Sequence, residues 1–172
     1  YFFEGPKIKK EAEKKKYLKQ TEESLKNNSA NLEDEVDGYL ELDDALNKDE
    51  RIKIDAPRLQ GSISLKGLKI DDLTFKDYKE TLNEDDKLVT LFKPSSTKGG
   101  YFSNFGWIKA SSDKNFDLPN DQTVWSTNSK KITNKKSATF SWTNNQGIQF
   151  EQEILVDEDY MFTIKQKITN NS

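Results

Sequence analysis

The chain has 172 residues and a net charge of -3, with 27 basic side chains against 30 acidic ones, which leaves room for one domain and a polar extension. The acidic balance excludes the concentrated positive surface on which nucleic-acid binding depends, so no nucleic-acid partner is expected. There is no cysteine and no histidine, which removes disulfides, thiolate chemistry, the commonest general base and the commonest metal ligand.

The chain opens on "YFFEGP", three aromatics closed by Gly5-Pro6, followed by a lysine-rich run. That is the pattern of a segment leaving a membrane at its interface, and equally of a short apolar tip that docks on a domain. No run of about 18 apolar residues occurs that would span a bilayer. The chain does not begin with Met, so a fragment or processed product is expected. Residues 7–50 pair a basic block, "KIKKEAEKKKYLKQTEESLK", with an acidic one, "NLEDEVDGYLELDDALNKDE". Few large apolar groups stand in either, too few to offset the entropy of ordering the chain. Residues 1–50 are therefore expected to be a membrane-proximal, charged tether, partly helical or disordered.

From Arg51 the apolar period changes to two. "RIKID" alternates Ile52 and Ile54. "RLQGSISLKGLKIDDLTFKDYKE" breaks its phase twice: Ile63 and Leu65 are followed by Leu68 and Ile70, then by Leu73 and Phe75. Gly67 permits a bulge or turn there without a Cβ penalty. A strand ending near Leu65 and another beginning at Leu68 are predicted. Asp71-Asp72 mark the second shift, after which "LTFKDYKE" is expected to leave the sheet as a short or irregular edge. "KLVTLF", "GGYFSNFGWIKA" and "TVWS" follow as further apolar pieces. The last segment reads as a three-stranded meander: Phe140 and Trp142 alternate, "TNNQG" turns, Ile148, Phe150, Gln152 and Ile154 share a face, "DED" turns, and Tyr160, Phe162, Ile164 and Gln166 share the next. Residues 51–172 are thus expected to form an all-β sandwich, with more strands belonging after Ser172.

The chemistry-bearing residues are sparse. Carboxylates cluster at Asp71-Asp72, Glu84-Asp85-Asp86 and Asp157-Glu158-Asp159, none with the spacing of a calcium loop, and all three are expected to be solvated turns. No serine has a histidine to activate it, and "STKGG" lacks the phosphate-loop spacing. No catalytic residue, cofactor or metal ligand is expected. Trp107, Trp125 and Trp142 are expected to pack between the sheets. The exception held open is "SNFGWI", where Tyr101, Phe105 and Trp107 are candidate cleft or partner contacts. A carbohydrate-binding module would use these rings for stacking. A carboxylate glycosidase would need two acids facing across a cleft, which turn-bound clusters do not supply.

Taken together, "RIKIDAPRLQGSISLKGLKIDDLTFKDYKETL", "VTLFKPSST", "YFSNFGWI" and "FSWTNNQGIQFEQEILVDEDYMFTIKQKITNN" resemble the large periplasmic domain of the YidC-type membrane protein insertases. The resemblance runs from about Arg51 to Asn171. It implies a β-supersandwich similar to galactose mutarotases, although without histidine the catalysis of those enzymes does not carry over. It implies a parent that inserts and folds inner-membrane proteins, alone or with the Sec translocon, and contacts with Sec accessory proteins and nascent membrane proteins. It further implies a location on the periplasmic side of the inner membrane, tied to it by a transmembrane helix absent from this chain. The lysines at 7, 9, 10 and 14–16 depart from the rule that favours cytoplasmic positive charge. The insertase groove belongs to transmembrane helices this chain does not contain, so no insertase residue is assigned.

Overall fold

The computed structural model describes residues 38–83, 85–109 and 116–171. "YFFEGP" and most of the expected tether lie outside the described residues. Within the unit that begins at Leu40, a five-residue helix α1 (Leu42–Leu46) precedes the strands and buries Ala45. Nine strands follow among the described residues: β1 (Arg51–Asp55), β2 (Leu59–Ser64), β3 (Lys69–Lys79), β4 (Leu88–Phe92), β5 (Ser126–Thr127), β6 (Lys131–Ile132), β7 (Ala138–Thr143), β8 (Ile148–Val156) and β9 (Phe162–Asn170). They form two sheets, ordered β4-β3-β2-β1-β6 and β5-β7-β8-β9, as the all-β sandwich reading requires.

Period-two patterning assigns the faces. Ile52 and Ile54 of β1 are buried while Lys53 and Asp55 are exposed. Phe150, Gln152, Ile154 and Val156 of β8 alternate with half-buried neighbours. One apolar cluster joins both sheets, with Ile54, Leu59, Ile63 and Leu73 from the first and Phe140, Phe150, Ile154 and Val156 from the second. Each large side chain fully withdrawn from water contributes about 1.5–3 kcal/mol. Ile132 of β6 pairs in parallel with Ile54 and is itself fully buried, closing that edge of the first sheet.

The two phase breaks have distinct structures. Gly67, at φ 71°, makes the turn between β2 and β3. Its amide donates to Thr123 O at 2.8 Å, and Trp125 N donates to Leu65 O at 2.9 Å. The second break is a β-bulge: Ser62 pairs with Asp72 and Ile63 with Ile70, so Asp71 is the extra residue. One inserted residue lets Ile70 and Leu73 both face the core and turns Asp71 and Asp72 to the opposite face. The expected departure of "LTFKDYKE" from the sheet is corrected: β3 continues for 11 residues to Lys79, pairing with Leu59 through Phe75 and with Leu88 through Lys79.

In the C-terminal meander, the Asn144 carboxamide oxygen accepts from the amides of Gln146 and Ile148, both at 2.9 Å, making the first turn. Asp157 Oδ1 accepts from Asp159 N at 2.7 Å and Met161 N at 2.9 Å, making the second. Tyr160, expected on the face of the last strand, instead closes that turn at φ 74°, a left-handed conformation unusual for a side chain of its size.

Gly61 sits where β2 crosses under the bulge. A Cβ there would lie 1.9 Å from Asp72 O, whereas one at Gly106 would meet nothing within 4 Å. Gly61→Ala is expected to lower the unfolding free energy by about 3 kcal/mol, the upper range for overpacking against backbone, while Gly106→Ala changes it by less than about 0.5 kcal/mol. Urea denaturation of the two variants side by side measures the contrast.

Candidate functional site

The segment from Tyr101 to Lys109 contains no strand, and isolated bridges join it to the sheet from Tyr101 to Lys93 and from Ser103 to Ile70. Its three singled-out aromatics rest on different supports. Tyr101 is 67% exposed and leans on Phe92, ring centres 5.7 Å apart. Phe105 is 42% exposed, and its carbonyl accepts from Gln152 Nε2 at 2.7 Å. Gln152 is fully buried, so this amide pins the segment to the inner face of β8. Trp107 is half-buried. Its ring lies nearly parallel to Trp125 at 6.1 Å and meets Phe150 edge-on at 5.2 Å, the offset and edge geometries that aromatic quadrupoles favour. Trp142 packs on Phe150 at 5.7 Å. The expectation that the tryptophans pack against the core therefore holds for all three, with Trp125 buried outright. Tyr101 and Phe105 present outward surface, and Trp107 anchors the segment between them and Ile108, which is 94% exposed.

Of the three carboxylate clusters expected to be solvated turns, Asp157-Glu158-Asp159 and the described Asp85-Asp86 lie in turns, whereas Asp71-Asp72 does not. Asp71 is buried mid-sheet beside Arg51, whose Nη2 donates to its Oδ1. Arg51 Nε also donates to Ser62 Oγ at 2.7 Å, and Ser62 Oγ donates to Asp72 Oδ2 at 2.6 Å. A lone Arg-Asp pair taken out of water costs desolvation, and the added hydrogen bonds offset it. Nothing in the sequence pairs residues 51 and 71 until the bulge brings them to one face.

On the same face, Asp55 lies between Lys131 Nζ at 2.5 Å and Lys76 Nζ at 2.6 Å. Hydrogen bonds from Lys131 and then Lys76 hold its carboxyl down at about 2. A polar depression of about 460 Å³ opens here over Gly61, lined by Lys53, Asp55, Gln60, Asp72, Thr74 and Lys131. Among the described residues, no group of three or more carboxylates is placed to hold a metal ion.

A third cluster joins the turns at one end. Tyr160 Oη donates to Asp77 Oδ2 at 2.8 Å. The Arg58 guanidinium lies 5.3 Å over the Tyr160 ring and pairs with Asp77 at 3.5 Å. Phe75 meets Tyr160 edge-on at 5.6 Å. Desolvation and then the bond to Asp77 push the Tyr160 phenol up to about 12. The contact ties the β8–β9 turn of one sheet to β3 and the β1–β2 turn of the other. Period-two patterning carried no signal for it, because it joins turn residues Arg58 and Tyr160 to Phe75 and Asp77 of β3 across long stretches of sequence.

Comparison with known proteins fits this architecture. Residues 51–172 match the family model described as the YidC periplasmic domain. The class is therefore a periplasmic β-sandwich domain. The chain is 48% identical over 122 residues to the membrane protein insertase YidC of Rickettsia bellii, covering 71% of this chain and 22% of that protein. It is 44% identical over 130 residues to the same-named protein of Rhizobium johnstonii, covering 75% and 21%. For that of Pelagibacter ubique the identity is 43% over 130 residues, covering 75% and 23%. The chain belongs to the YidC family of membrane protein insertases, which places it on the periplasmic side of the bacterial inner membrane. It spans about a fifth of the length of these relatives.

Two outcomes follow from the ion pairs. Arg51→Ala leaves the Asp71 carboxyl at 8% side-chain exposure without its partner and is expected to cost about 3 kcal/mol in chemical denaturation at neutral pH, as for other half-broken buried pairs; a cost under about 1 kcal/mol, the range of a surface pair, contradicts the network. For Tyr160, the folded state holds its proton up to about 12 against the ordinary 10.0. Between those values the unfolded chain has released the proton and the folded chain has not, so stability falls as pH rises through that window. Thermal unfolding of Tyr160→Phe, compared with the parent sequence across pH 9 to 12, is expected to show a shallower alkaline decline.

Proposed function

We propose that this chain is a non-catalytic domain of a membrane protein insertase. It acts on the periplasmic side as a docking surface for Sec accessory proteins and for emerging membrane proteins, aiding their insertion and folding. The family match over residues 51–172 carries this reading. In it, residues 1–50 are the membrane-proximal tether, whose last turn α1 buries Ala45, and residues 51–172 are the sandwich.

The arrangement of charge supports a role without catalysis. Asp55 is held by two lysines, which keep its carboxyl down at about 2, so it is not poised to exchange a proton near neutral pH; Asp71 is committed to Arg51. The exposed rings of Tyr101 and Phe105 are the surface we assign to partner contact, with Trp107 fixing the segment that carries them. Carbohydrate binding, the alternative, would use the same rings, but one face of Trp107 already stacks on Trp125.

Photo-crosslinking in the full-length parent, in its own membrane, tests the assignment. A benzoylphenylalanine in place of Tyr101 or Phe105 is expected to give adducts with a Sec accessory protein or a nascent membrane protein. The same group in place of Lys165, exposed on β9, is expected to give none. Adducts absent at 101 and 105, or equal at all three positions, would remove this segment as the contact surface.

A further inference from the structure

Gln152 breaks the pattern of its own strand. β8 turns Ile148, Phe150, Gln152, Ile154 and Val156 toward the core, and Gln152 is the polar member of that row. It is 1% exposed. Its Cα partners across the ladders are Phe140 on β7 and Gln166 on β9, so no ionisable side chain flanks it on that face. Withdrawing a carboxamide from water costs free energy unless a new partner replaces the lost one. That partner is the carbonyl of Phe105, 47 residues away in sequence, to which Nε2 donates at 2.7 Å.

The residues after Ser103 depend on this bond. Both backbone groups of Tyr101 bond to Lys93, and both of Ser103 bond to Ile70. From Asn104 to Lys109, no backbone–backbone hydrogen bond is formed among the described residues. Phe105 is held there by the Gln152 amide, and Trp107 by its ring against Trp125 and Phe150. Gly106 stands between these two points, and a Cβ on it would meet nothing within 4 Å. Ring contact fixes the Trp107 side chain without directing the peptide plane at 105. A hydrogen bond to the carbonyl does direct that plane.

We propose that Gln152 is a positioning residue: from inside the core its carboxamide sets the backbone at Phe105, and through it the presentation of that ring for partner contact. The consequence for contact rests on the reading of residues 101–109 under the proposed function; the setting of the backbone does not. Tyr101 is independent of residue 152, because its own bonds to Lys93 hold it.

The test uses the full-length parent in lipid nanodiscs, read by fluorine NMR. A 4-trifluoromethylphenylalanine replaces Phe105 or, separately, Phe75 of β3, which packs on Tyr160. Gln152→Leu removes the donor at similar volume. It is expected to shift or split the resonance at 105 and leave that at 75 unchanged. Gln152→Glu is the conservative rescue. Burial raises the pKa of a carboxyl by disfavouring its charged form. Protonated, the carboxyl donates to the Phe105 carbonyl as the amide does; ionised, it has no proton to give. The 105 resonance of the Glu variant is expected to match the parent at about pH 5 and to leave it by about pH 9, while the Leu variant shows no such change. With benzoylphenylalanine at 105, Gln152→Leu is expected to lower the adduct yield about fivefold, the scale of one hydrogen bond, and to leave the yield at 101 unchanged. An unchanged 105 resonance in the Leu variant overturns the proposal. So does equal movement of both fluorine probes, a Glu variant indifferent to pH, or adducts at 105 undiminished by the Leu variant. A resonance that moves as expected, with no adducts at 105 even beside Gln152, supports the positioning role and refutes the partner-contact reading.

Discussion

Ser62 stands at the centre of the first sheet with its hydroxyl used twice, accepting from Arg51 and donating to Asp72. Beside it, Asp71 is the residue that β3 has in excess over β2, and Arg51 neutralises it. The phase of β3 depends on this arrangement. A one-residue slip in a strand exchanges its faces, and without the insertion either Ile70 or Leu73 would turn away from the core. With it, both stay buried, and the cost appears on the opposite face as two adjacent carboxylates that must be satisfied. Arg51 and Ser62 satisfy them from β1 and β2. Gly61 completes the arrangement, because the Asp72 carbonyl comes so close that no side chain fits opposite.

The second sheet is held to the first by two kinds of contact with different physics. Through the middle the contact is apolar and non-directional, with Phe140 and Phe150 fully buried against the isoleucines of β1 and β2. At one end the contact is directional. Tyr160 is held in a left-handed backbone conformation, its hydroxyl on Asp77, its ring under Arg58 and against the edge of Phe75. A strained turn of this kind persists when its surroundings over-determine it, and three independent partners do so here. The core sets how far apart the sheets lie, and the turn cluster sets which residues meet at that end.

Much of this was legible in the sequence because it is periodic. Ile52 and Ile54, Phe150 and Ile154, and the Asn144 and Asp157 turns are local signals with one physical solution each. Gly67 announced its turn for the same reason. Asp71 looked like a turn residue because aspartate serves turns, and only its partner 20 residues away makes it a buried strand residue. "LTFKDYKE" looked like a departure because it follows the second phase shift, yet the strand continues past it, with Lys76 paired to Asp55 of β1 and Asp77 to Arg58 of the β1–β2 turn. Tyr160 continued the alternation of its strand on paper, but Asp157 captures the amides of Asp159 and Met161, so the turn takes one residue more. The first two errors concern pairings between distant segments and the third a local capture of backbone amides by Asp157, and hydrophobic period carries no information about either.

The same distinction bears on where a partner can be met. The regular strands spend their side chains on the core or on cross-strand ion pairs, and the polar face over Gly61 is largely self-neutralised by Lys76, Lys131 and Arg51. What remains unspent among the described residues lies in irregular backbone. The 101–109 segment is fastened by backbone bridges at Tyr101 and Ser103, by Trp107 on Trp125 and by the Phe105 carbonyl on Gln152. Between and beyond those points its rings and Ile108 face outward. The segment forms no strand of its own, and the rigid sandwich beneath it fixes its position, which is the usual division of labour between scaffold and recognition loop. Gln152 is the instructive residue in that division. It is a polar side chain on the inner face of β8, fully buried among isoleucine, phenylalanine and valine neighbours. A buried amide without a partner would cost stability. Its place in the core is justified by the one bond it makes outside its own sheet, to the loop that carries the exposed aromatics.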